Sequence, residues 1–172
     1  MNRSATLKSG YAGFTLIELI VVITLVSIML FISIPKIHRV FQDENRATAQ
    51  WLLTQIPKLK ARAISEKTLI RMHVDVSDNR LWVSTGAMSE AAMEQARNRA
   101  KQLPDTQRLA DVEYPETGRT DTGEALIRFY PKGYSDKAII HLEDDADNTL
   151  SFIIEPFLSR TRLEDGYVGF EK

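Results

Sequence analysis

The chain has 172 residues, 22 basic against 23 acidic side chains, a net charge of −1 and no cysteine. That length leaves room for one modest domain beside any anchor, and the balanced charge gives no basic field for nucleic acid. The missing cysteines exclude disulfides, thiolate zinc sites and thiol nucleophiles, so a fold outside the cytoplasm must be held by packing alone.

In chain order, the first element is residues 13–35, "GFTLIELIVVITLVSIMLFISIP". From Phe14 to Ile34 the run is broken only by Glu18 and the small hydroxyls Thr15, Thr24, Ser27 and Ser33. As a helix it would extend about 32 Å, enough for a bilayer core of about 30 Å. A helix apolar on every face is hard to bury inside so small a soluble domain. A removable secretory signal has an apolar stretch of about 7–15 residues followed by a small-residue cut site. Here the small residues Ser9, Gly10, Ala12 and Gly13 come before the apolar run, so a cut would leave the helix on the mature protein. Flanking charge sets no clear orientation, since Lys36, Arg39 and Arg46 balance Arg3 and Lys8.

The short basic leader, Gly13, Phe14, "TLIE" and the long apolar helix resemble the class III signal of type IV pilins and type II secretion pseudopilins. The resemblance implies cleavage between Gly13 and Phe14 by a prepilin peptidase, which also N-methylates Phe14. Glu18 then occupies the place of that family's glutamate, five residues into the mature chain, and Pro35 that of a helix-kinking proline.

A carboxylate within a membrane helix costs about 3 kcal/mol on insertion scales, so it persists where it has a partner. Cleavage would create one, the α-amine of Phe14. Within one chain the i, i+4 spacing brings Glu18 near its own amine. Between chains it can meet the amine of a neighbour, which the resemblance favours. Either contact is charge-assisted and strong where water cannot compete.

Beyond the anchor, Ile37, Phe41, Thr48, Leu52, Ile56, Leu59 and Ala63 recur at helical spacing, predicting a helix over 36–67 with a stripe packed under a sheet. Pro57 removes a backbone donor and predicts a kink or short break. From residue 68 to 172 the period changes to that of strands. "TLIRMHVDV" and "RLWVST" flank the turn signal "SDN" and read as a hairpin. Residues 89–102 read as a short charged helix, a surface insertion, and "YPETGRTDTGE" as loop. "ALIRFY", "AIIHL" and "TLSFIIE" read as three more strands, and the tail "TRLEDGYVGFE" as a last short strand or two. The class is α+β: a long N-terminal helix on an antiparallel β-sheet head.

"KARAISEKTLIRMHVD" and "IRFYPKGYSDKAIIHL" resemble the H-type minor pseudopilins of type II secretion, although "EPFLSRTR" stands where that group often has a T-G-R turn. The resemblance implies a structural subunit held in the inner membrane by one span with its head in the periplasm. It would be assembled with other minor and major pseudopilins at or near the tip of a short filament that supports export of folded proteins. A minor pilin of a type IV pilus, or a membrane-anchored periplasmic enzyme or binding module, are the alternatives.

Enzyme chemistry finds little support. His38, His73 and His141 lack ligand spacing, and "GYS" around Ser135 lacks the second glycine of a nucleophile elbow. The acidic run Glu143, Asp144, Asp145 and Asp147 lacks the glycine and terminal glutamate of a calcium loop and reads as a solvated turn. No cofactor, metal or nucleic acid is expected. If Gly13 lies at the cut, a bulky side chain there will block an extended, close-fitting peptidase site. Gly13→Leu should therefore leave full-length precursor in the membrane, read as an unshifted band on an immunoblot.

Overall fold

A computed structural model describes residues 15–33 and 43–170. The chain divides into two compact units, Met1–Val40 and Phe41–Lys172.

In the first unit, α1 runs over Leu16–Ser33. Thr15 caps it. Its hydroxyl accepts the Glu18 N–H at 3.3 Å, and its carbonyl accepts the Leu19 N–H at 3.2 Å. The Thr15–Glu18 spacing is that of a capping box. Thr24 hides its hydroxyl by donating to the Ile20 carbonyl at 2.8 Å. The described turns rise about 27 Å, a little less than a bilayer core of about 30 Å. Among the described residues no helix is long and apolar enough to cross a membrane. Phe14, Ile34 and Pro35, the ends of the expected span, lie outside the described residues.

The second unit begins with α2, Asp43–Ser65. Its stripe of Thr48, Leu52, Ile56, Leu59 and Ala63 is buried, as the spacing predicts; Ile37 and Phe41 lie outside the described residues. Of the kink or short break expected at Pro57, the break is absent: the helix continues through it. Proline forfeits the bond to the Leu53 carbonyl, but buried Ile56 and Leu59 on either side hold the turn in place.

Two antiparallel sheets complete the head. The first joins β1 (Ile70–Asp75), β2 (Arg80–Thr85), β3 (Lys101–Gln102) and β6 (Glu124–Phe129) in the order β3-β2-β1-β6. The second joins β4 (Gln107–Tyr114), β5 (Gly118–Thr120), β7 (Ala138–Asp144), β8 (Thr149–Ile154) and β9 (Arg162–Asp165) in the order β5-β4-β7-β8-β9. Period-two alternation sends Ile70, Met72, Val74, Ile127 and Phe129 from the first sheet into a core shared with α2. Leu109, Val112, Ile140, Leu142, Phe152 and Ile154 of the second sheet enter the same core. Asn79 ties the sheets together: its amide donates to the Gln107 carbonyl at 2.6 Å and accepts the Leu109 N–H at 2.8 Å.

Two local expectations need correction. The insertion helix α3 spans Glu90–Asn98, capped by Ser89 and with no buried residue, so it is a surface element but a shorter one than 89–102. Lys101 and Gln102 instead pair with β2, where the Gln102 amide donates to the Asp78 carbonyl at 2.9 Å. The stretch expected to be loop contains β5, and β4 precedes it as a strand that local pattern does not announce. A register shift between Leu109 and Asp111 is the reason β4 shows no strand pattern. The bulge lets Leu109 and Val112, three positions apart, both face the core, which erases the alternation typical of a strand. The acidic run behaves as a turn: the Asp144 carboxylate accepts the N–H groups of Ala146 and Asn148, each at 2.9 Å.

Lys60 fixes the far end of the head. Its ammonium is buried and donates to the carbonyls of Glu155 at 2.5 Å and Leu158 at 2.7 Å. Burial pushes its pKa down, and the Glu155 carboxylate opposes that shift. Lys60→Met should leave these carbonyls without their donor, costing about 1–2 kcal/mol in a denaturant melt and speeding proteolysis at Phe157 and Leu158. Because the second unit owns its core, deleting residues 1–38 should yield a soluble monomer. Sedimentation together with circular dichroism checks that.

Candidate functional site

Thr15 and every described side chain of α1 from Leu16 to Met29 are exposed, with Leu16 at 78% and even Val22 at 48%. Full burial of one large aliphatic side chain is worth about 1.5–3 kcal/mol, so a row of them in water is a surface awaiting cover. The sequence placed three residues at this end of the molecule. Gly13 and Phe14 lie outside the described residues, so their relation to Glu18 is not described. Glu18 sits in the first turn of α1, where the helix dipole favours a carboxylate. Its backbone N–H is taken by Thr15, and its carboxylate has no partner among the described residues.

The head holds two histidine–carboxylate pairs that sequence spacing did not reveal. His73 Nδ1 lies 2.8 Å from Glu124 Oε1, and its Nε2 lies 2.8 Å from the Ser84 hydroxyl. This is the order of groups in a serine–histidine–acid triad. Yet Ser84 is wholly buried and Trp82 stacks on the imidazole at 3.5 Å, so no substrate carbonyl can reach the hydroxyl. The Trp82 indole N–H also donates to Glu124 Oε2 at 2.9 Å, committing both carboxylate oxygens. The arrangement holds β1, β2 and β6 together beneath a tryptophan.

His141 repeats the device on the second sheet. Its Nδ1 lies 2.7 Å from Asp111 Oδ1, its Nε2 lies 2.8 Å from the Val168 carbonyl, and Tyr167 stacks on it at 3.8 Å. The Tyr167 hydroxyl donates to Asp111 at 3.1 Å, and burial with that carboxylate pushes the phenol pKa upward. These partners come from strands distant in sequence, and only sheet register brings them together. No group of side chains among the described residues could hold a metal ion, and His38 lies outside them.

A recess of about 480 Å³ opens beside β6, lined in part by Tyr114, Glu116, Leu126, Arg128 and Lys137. Burial pushes the Tyr114 phenol up to about 12, and its hydroxyl donates to the Leu126 carbonyl at 3.1 Å. The cations here are already answered, Arg128 by Asp136 at 3.3 Å and Lys137 by Glu155 at 3.7 Å. The recess does not present converging unpaired polar groups of the kind a small-molecule site uses.

Residues 8–34 match the family described as the prokaryotic N-terminal methylation motif. No curated protein matches the chain. Among solved structures, the minor pseudopilin EpsH from the type 2 secretion system of Vibrio cholerae is similar at 14% identity and a TM-score of 0.49, covering 72% of this chain and 96% of that one.

Proposed function

We propose that the chain is a minor pseudopilin of a type II secretion system. In this reading it is cleaved between Gly13 and Phe14, N-methylated on Phe14, and held in the inner membrane by one span with its head in the periplasm. It is then drawn into a short filament, near the tip, where it supports the export of folded proteins. The observation that carries the reading is the N-terminal methylation motif at residues 8–34, which coincides with a helix whose described side chains are all left exposed. A bilayer covers such a helix during storage, and the like helices of neighbouring subunits cover it in a filament. The same surface serves both states, because hydrocarbon and packed side chains are equally apolar surroundings.

A structural role accords with the head as well. Its one triad-like arrangement among the described residues is sealed beneath Trp82, and its recess is lined by charges already paired. The chain's partners are then the prepilin peptidase and methyltransferase, the membrane, and other minor and major pseudopilins.

Glu18 tests the assembly step apart from the others. Removing its carboxylate makes α1 more apolar, so Glu18→Ala should insert in the membrane and be cleaved normally. What it loses is the partner of a neighbour's charged amine, worth roughly 3–5 kcal/mol if that amine is fully buried. Crosslinking to other pseudopilins should fall sharply while cleavage persists in the same cells, and Glu18→Gln should be intermediate or equally defective. Wild-type crosslinking by Glu18→Ala would remove the carboxylate from the assembly mechanism.

A further inference from the structure

Beyond α1, the large apolar side chains left exposed among the described residues are Ile64, Phe157, Leu158 and Tyr167. Three of these four gather at one end of the head. Phe157 is the most exposed, at 83%, and its ring lies 6.3 Å from Tyr134, which stacks on Tyr130 at 4.5 Å. Gly133, at φ +89°, turns this loop so closely against α2 that an added methyl would sit 3.5 Å from Ile64 Cδ1. Leu158 follows Phe157 directly.

Rigidity separates this patch from a scatter of surface side chains. The chain around Phe157 is pinned from below by the Lys60 ammonium on the carbonyls of Glu155 and Leu158. The facing loop closes on itself, with the Tyr130 N–H donating to the Tyr134 carbonyl at 2.8 Å and the Ser135 N–H reaching the Pro156 carbonyl at 3.1 Å. An aromatic ring held out on a fixed backbone loses little entropy on binding and is the usual anchor of a protein interface.

Charge indicates what would receive it. The acidic groups of these loops are already engaged: Asp136 by Arg128 and by the Tyr130 hydroxyl, Glu155 by Lys137. Lys132 and Arg160, in the same two loops, are exposed and have no anionic partner among the described residues. The rim of the patch is therefore positive around an apolar centre, and its complement is an apolar recess edged by carboxylates.

We propose that Phe157, with Tyr134, Ile64 and Leu158, is the surface by which this head docks onto the head of a different subunit of the same filament, one that offers an apolar recess rimmed by carboxylates. The proposal rests on the filament reading above. It adds a second contact, made by the head and independent of α1.

The test uses the full-length chain in cells that make the whole apparatus, with photoreactive benzoylphenylalanine placed at Leu158 in one strain and at Val22 of α1 in another. The Leu158 probe should crosslink to a different subunit carrying its own N-terminal methylation motif, identified by mass spectrometry. Adding Phe157→Ala should cut that product at least about tenfold, the scale of an interface anchor, as should reversing Lys132 and Arg160 to Glu. Both changes lie on exposed side chains, and an unaltered thermal melt of the head will confirm that the fold is intact. If the Val22 probe still reports helix packing while Leu158 yields no product, only a second copy of this chain, or only lipid, the docking proposal is overturned and the filament reading stands. If both probes yield no subunit, the filament reading fails and the docking proposal fails with it.

Discussion

The described side chains of α1, from Leu16 to Met29, are exposed on every face of the helix. Its stability is therefore set by whatever medium surrounds it, and a change of medium is a change in the state of the protein. A single charge, Glu18, is placed where the helix dipole and the Thr15 cap make it least costly. That combination accords with the proposed reading, in which α1 lies in lipid and then packs against others of its kind. The second unit, for its part, carries a core of its own.

The head does so without a disulfide. Its apolar core lies between α2 and the inner faces of two sheets, and the other face of each sheet is fastened by polar groups. On one, His73, Glu124 and Ser84 join three strands under Trp82; on the other, His141 and Asp111 take hold of Tyr167 and Val168. Ser151 adds to the second, donating to the Gly166 carbonyl at 2.7 Å and accepting the Val168 N–H at 3.0 Å. Residues 166–170 thereby become a cover for the outer face of the second sheet. Buried polar networks whose members are all satisfied hold such surfaces in one arrangement, which apolar contact alone does less well.

Much of this architecture was legible from local pattern. The apolar run announced α1, the spacing from Thr48 to Ala63 announced the buried face of α2, and "SDN" between β-rich segments announced the first hairpin. What escaped was whatever depends on pairing at a distance. Strand β4 was hidden by the bulge at Ala110, and β3 is strand only because β2 offers it an edge. The continuity of α2 through Pro57 is a tertiary effect, since local propensity alone argues for a break. The two histidine clusters were invisible for the same reason: their members are neighbours by register and not by sequence. Gly13 and Phe14 fall outside the described residues, and the roles proposed for them come from the motif alone.

The grip of Lys60 on the loop after β8 has a consequence in time. Its carbonyl partner at Glu155 lies 95 residues further along the chain. A chain delivered N-terminus first exposes α2, with its apolar stripe, long before β7 and β8 arrive to cover it. Non-local closure of this kind is slow, and the uncovered stripe is adhesive while it waits. If the head is delivered across a membrane as proposed, the order of emergence makes it a client for whatever holds unfolded chains apart on the far side, because its core closes only when the last strands arrive.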